Sequence, residues 1–105
     1  MPGDKFSLRY IPKSVEDLNE IVDYIEFKLH NLDSAINLVK KIEIAIEERL
    51  NCPLAFEPFQ TNRKRRYPYY RIYIDNFTVY YVVIENIMEI RRILYSGRDS
   101  DKIIK

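Results

Sequence analysis

Arginine and tyrosine interleave through the C-terminal part of this chain. Tyr69, Arg71 and Tyr73 fall two residues apart, Arg91-Arg92 is followed by Tyr95 and Arg98, and the run Arg63-Lys64-Arg65-Arg66 precedes them all. Guanidinium forks grip phosphate or carboxylate bidentately and tyrosine rings stack on exposed bases, so this pattern on an open sheet suits nucleic acid or an acidic protein segment. The plainer account is that the tyrosines are ordinary sheet residues and the arginines keep an exposed face soluble. Cys52 and His30 are the only cysteine and the only histidine. They fall on different predicted elements, which speaks against a thiol nucleophile, and two such ligands are too few for a protein zinc site. Neither metal nor cofactor is expected.

Charge is divided along the chain. Residues 1–62 hold seven Lys/Arg against eleven Asp/Glu, about −4, whereas residues 63–105 hold ten against five, about +5, within a net charge of +1. Such asymmetry points to a basic face built from the C-terminal half. With 105 residues, 47% hydrophobic and 31% charged, the composition is that of an ordinary folded chain, and residues 1–105 are expected to form one domain. The first residues carry no apolar stretch behind a basic end, and the longest apolar run, Val79 to Ile84, is far short of the roughly 18 residues of a membrane span. A lone cysteine fits a reducing compartment. A cytoplasmic protein is expected.

The elements that would position these side chains are legible from periodicity. Lys5 to Ile11 alternates and stops at Pro12, reading as a strand. Ser14 to Asp17 reads as an S-x-x-D helix start, followed by Leu18, Ile21, Val22, Ile25 and Leu29 on one stripe, with Asp17, Glu20, Asp23 and Glu26 mostly off it. After the short break His30-Asn31-Leu32-Asp33, Asp33 or Ser34 is the expected cap of a second helix. That helix carries Ala35, Leu38, Val39, Ile42, Ala45, Ile46 and Leu50 on one face and ends at Asn51 and Pro53. Then come a loop rich in Pro and aromatics and three apolar stretches, Tyr69 to Ile74, Phe77 to Ile84 and Ile87 to Tyr95, separated by Asp75-Asn76 and Glu85-Asn86. Links that short make antiparallel hairpins. The expected fold is α+β, in the order strand, helix, helix, strand, strand, strand, with an antiparallel helical hairpin packed on one face of a curved antiparallel sheet. Alternation puts Tyr70, Ile72 and Ile74 inward and Tyr69, Arg71 and Tyr73 outward. In the last strand it groups Arg92 with Ile90 and Leu94, and Arg91 with Ile93 and Tyr95, which leaves one arginine beside the core whichever face is buried.

Behind the two-helix start, Tyr-Arg-Ile in the first meander strand, Val-Tyr-Tyr in the second and Arg-Ile-Leu-Tyr-Ser-Gly-Arg-Asp at the end resemble the RelE/ParE toxins of bacterial type II toxin-antitoxin systems, from Phe6 to Asp99. The resemblance implies a toxin neutralised by a cognate antitoxin whose extended or helical segment wraps it, and a hetero-oligomer of the two. RelE-like members cut mRNA in the ribosomal A site and ParE-like members poison DNA gyrase. The nuclease reading would rest on Arg71, Arg92, Tyr95 and Arg98. It lacks two groups, because Thr78 stands where the RelE pattern has an arginine and no tyrosine follows Arg98. The ending Arg91 to Asp99 is closer to ParE-like chains, which implies gyrase as the target. Arg63, Lys64, Arg65, Arg66, Arg71, Tyr73 and Arg98 are the residues expected to meet target or antitoxin. A nucleic-acid-binding module without toxicity is the remaining alternative.

Overall fold

The computed structural model describes residues 5–59 and 66–97. Strand β1 (Ser7–Tyr10) leads into helix α1 (Pro12–Asp23), whose last turn widens into a π-helical segment, Tyr24–Lys28. Helix α2 (Leu32–Leu50) returns, and β2 (Tyr70–Ile74), β3 (Phe77–Ile84) and β4 (Ile87–Tyr95) follow. The expected element order is borne out, and the sheet order is β1-β4-β3-β2. The sheet is mixed. β2, β3 and β4 are an antiparallel meander, but β1 lies parallel to β4, from Ser7 opposite Ile87 to Tyr10 opposite Ile90.

Local chemistry sets the boundaries, and twice it does so differently from the expectation. Helix α1 begins at Pro12, whose fixed φ is already helical and whose missing N–H would have had no partner there. Ser14 therefore lies inside the first turn and is no cap. It is buried, and its hydroxyl donates to the Ile11 carbonyl at 2.7 Å. At the hairpin tip His30 takes the left-handed conformation (φ 51°), and the Asn31 amide donates back to the Ile25 carbonyl at 3.2 Å, closing the helix as a C-terminal turn does. The cap of α2 is Asn31 and neither Asp33 nor Ser34: its side-chain oxygen accepts from the Ser34 amide at 3.0 Å. The two meander turns place Asp75 and Glu85 at φ 52° and 56°, the sign that two-residue hairpins favour.

The core lies between the helical hairpin and one face of the sheet. Leu38, Ile42 and Ile46 of α2 meet Tyr70, Ile72 and Ile74 of β2, Val79 and Tyr81 of β3, and Met88, Ile90 and Ile93 of β4. Leu18, Ile21 and Ile25 pack at its margin. Leu29, expected on the same stripe, is 57% exposed, because the wider π turn and the reversal at His30 rotate it out. The opposite face of the sheet is not bare. Tyr69, Tyr80, Val82 and Leu94 form a second buried cluster there, roofed by Phe59 and Tyr67 from the segment before β2.

Candidate functional site

Beyond Tyr10 strand β1 no longer covers β4, and the chain turns into α1 instead. Asp17 fills the gap. Its carboxylate, 4% exposed, accepts the backbone N–H of Ile93 at 3.0 Å, and Arg92 donates through Nε at 2.7 Å and Nη2 at 3.1 Å. A side chain thus does the work of a neighbouring strand. The hydrogen bond to Asp17 pushes the Arg92 guanidinium above its ordinary value, so Arg92 stays fully charged. Asp17 was expected off the apolar stripe, yet it sits between Ser14 and Ile21 in the i, i+3, i+4 series; that spacing was the signal of its inward face.

A bulge decides the fate of the neighbouring arginines. Tyr80 pairs with Arg92 but Tyr81 pairs with Ile90, so Arg91 is an extra residue in β4. Alternation is reset there, and neither arginine enters the core, contrary to the strict two-residue rhythm. Arg91 instead joins Arg9 on Glu89, whose side chain is 6% exposed: Arg91 donates to Oε1 at 2.6 Å, and Arg9 donates to Oε2 through Nε at 2.8 Å and also through Nη2. Burial pushes the Glu89 carboxyl up, but the two arginines outweigh it and hold it below the ordinary glutamate range.

Along the uncovered edge of β4 lies an open apolar groove of about 500 Å³, walled by Ile21, Tyr24 and Ile25 on the helix side and by Phe77, Ile93 and Tyr95 on the sheet side. Tyr95 stands edge-on to Phe77 with centroids 5.6 Å apart and is 55% exposed. Tyr24 and Leu29 at the groove and Phe27 and Leu32 at the hairpin tip are each more than half exposed. The acids Asp17 and Glu20 line one end of the groove.

Arg71 lies on the other side of the sheet. Its guanidinium is 4.1 Å from the centre of the Phe59 ring and 5.5 Å from that of Tyr73, which is 63% exposed. Tyr69, expected outward with them, does face that way but is buried in the second cluster. Below, Arg49 at the end of α2 stacks on Phe56 at 3.5 Å and donates to the Arg71 carbonyl at 3.1 Å and to the Tyr81 hydroxyl at 2.9 Å. Tyr81 in turn donates to the Pro53 carbonyl at 2.8 Å, and burial raises its pKa. These bonds fix the segment that carries Phe59, and the Phe59 amide donates to the Tyr69 carbonyl. Arg66 is exposed and lies 5.5 Å from the centre of the Tyr67 ring.

Of the described residues proposed for RNA cleavage, Arg71 and Arg92 lie on one face of the sheet on either side of Tyr80, and Tyr95 is separated from them. Tyr95 lines the helix-side groove, Arg71 stands on the opposite face, and Arg92 is held by Asp17. Thr78 is buried and its hydroxyl is 2.8 Å from that of Ser96. Arg63, Lys64, Arg65 and Arg98 lie outside the described residues. The site chemistry that residue types alone missed is Asp17, Glu89, Arg9 and Arg49, each of which acts through a partner distant in sequence.

A family model described as the ParE toxin of the type II toxin-antitoxin system, parDE, matches residues 8–100. Among solved structures, the chromosomal ParDE toxin-antitoxin system from P. aeruginosa is similar with a TM-score of 0.72 at 17% identity, over 89% of this chain and 98% of that one. The E. coli DinJ-YafQ toxin-antitoxin complex is similar with a TM-score of 0.54 at 13% identity, over 87% and 92%. No curated protein sequence matches.

Proposed function

This chain belongs to the ParE toxin family of type II toxin-antitoxin systems, and we propose that it arrests growth by binding DNA gyrase, without cutting RNA. The observation that carries the choice is the separation of Arg71 and Tyr95 onto opposite faces of the sheet. Metal-free cleavage of RNA needs a base at the ribose 2′-hydroxyl, cations at the developing phosphorane and an acid at the leaving oxygen, all around one phosphate. Of the three described candidates, Arg71 and Tyr95 are divided by the sheet and Arg92 already spends its donors on Asp17. Inhibition by binding needs surface complementarity and no proton transfer.

The groove beside β4 is the proposed seat of a cognate antitoxin, in a complex of the two chains in the cytoplasm. Its exposed aromatic and aliphatic rim, Tyr24, Leu29 and Tyr95, suits an amphipathic segment that brings its own apolar face. The test is a pair of reconstituted reactions with purified protein. Gyrase with supercoilable DNA should accumulate cleaved or unsupercoiled product, and translating ribosomes should show no codon-dependent cuts in mRNA. Tyr95→Phe should leave the gyrase effect intact. Cuts in the ribosomal A site that disappear with Tyr95→Phe would overturn this reading in favour of a nuclease.

A further inference from the structure

The described arginines divide by what their N–H donors do. Arg9 and Arg91 donate to Glu89, Arg92 to Asp17, and Arg49 to the Arg71 carbonyl and the Tyr81 hydroxyl. Arg66 and Arg71 differ. Among the described residues neither meets a carboxylate, and each lies instead beside an aromatic ring, Tyr67 for Arg66 and Phe59 and Tyr73 for Arg71. A guanidinium beside a ring is attracted by the ring's face and keeps its N–H fork in its own plane for an incoming acceptor. The nearest acid along β2, Asp75, is occupied by Lys41 at 3.2 Å.

We propose that this ledge, Phe59, Arg71 and Tyr73, is a binding site for single-stranded nucleic acid, with Arg71 taking a backbone phosphate and the Tyr73 ring stacking on an adjacent unpaired base. Two features select a nucleic acid over an acidic protein segment. The Tyr73 ring is 63% exposed on the same face as the fork, and a phosphate next to a π-face is the repeating unit of a single strand. Arg71 and Tyr73 also belong to the half of the chain with ten Lys/Arg against five Asp/Glu. The platform is stiff: Phe59 is held by its backbone bond to Tyr69 and by Tyr80, whose ring centre is 5.8 Å away. Binding of naked nucleic acid at the ledge is independent of which enzyme the toxin arrests.

Fluorescence anisotropy of a labelled oligothymidine about 12 nucleotides long, at roughly 50 mM salt, tests it with the full chain. Single-stranded DNA should bind more tightly than a duplex of the same length. Tyr73→Ala should weaken binding roughly 5- to 160-fold, the worth of one base stack. Arg71→Ala should also weaken it and reduce the slope of log affinity against log salt by about 0.7, one phosphate contact. Circular dichroism and the melting temperature of each variant show that the fold is kept, and Tyr73, being exposed, has little to lose. No binding by the wild type overturns the proposal. So does equal binding of duplex and single strand with Tyr73→Ala unchanged, the mark of bulk charge alone. Displacement of the oligonucleotide by an equal charge of poly-glutamate would assign the ledge to an acidic protein partner and would equally overturn it.

Discussion

Arg92 on β4 and Arg71 on β2 flank Tyr80 in one row across the sheet, and the two ends of that row use the same residue type differently. On the β4 side, Arg92 and Asp17 close the gap where β1 stops, and their donors and acceptors are spent on each other and on the Ile93 amide. On the β2 side, Arg71 rests on rings and its fork meets no carboxylate among the described residues. One arginine is tied into the fold by a carboxylate and the other rests beside rings. An arginine's role follows from whether a carboxylate on another element reaches it, which its own strand cannot reveal.

Asp17 is where the β4 corner is most easily undone. Asp17→Ala removes the carboxylate that holds the partly buried Arg92 and leaves the buried Ile93 amide without its acceptor, and should cost about 3 to 5 kcal/mol in chemical unfolding. A loss under about 1 kcal/mol would mean that water serves the corner as well as the carboxylate does. Next in size is Ile42→Ala, 1% exposed at the centre of the helix-side core, expected to cost about 2 to 5 kcal/mol by lost burial and cavity formation. A loss below about 0.5 kcal/mol would place that stripe at the surface.

The smallest effect sharpens the contrast on the outer face, where Glu89 is the carboxylate that neutralises Arg9 and Arg91. Because its folded pKa is lowered, the unfolded state holds more protons as pH falls into the carboxylate range. Its contribution to stability is therefore complete above the ordinary glutamate pKa and is lost as pH drops through the folded value. Urea midpoints compared at about pH 6.5 and about pH 3.5 should fall less for Glu89→Gln than for the wild type. Equal falls in the two proteins would remove Glu89 from the acid response.

Much of this molecule is written in local pattern. Element order, the two hairpin turns, the apolar faces of α2 and β2 and the likeness to a toxin family all follow from residue spacing and turn chemistry within short windows. The Tyr70, Ile72 and Ile74 face is buried as alternation requires. The helix starts were less legible, because Pro12 and Asn31 outcompeted stronger-looking capping residues nearby.

Where the charges end up depends on contacts between distant elements. One inserted residue at Arg91 resets the faces of β4, and β1 joins parallel to β4 only as far as Tyr10. The uncovered edge then receives Asp17 from a helix more than seventy residues away in the chain. Register, bulges and ion pairs between distant segments depend on which elements become neighbours, and a single strand's periodicity carries no information about its neighbour's length. Residue spacing set arginines and tyrosines on one sheet; packing placed Tyr95 at the groove, Arg92 in the corner and Arg71 beside Phe59 and Tyr73.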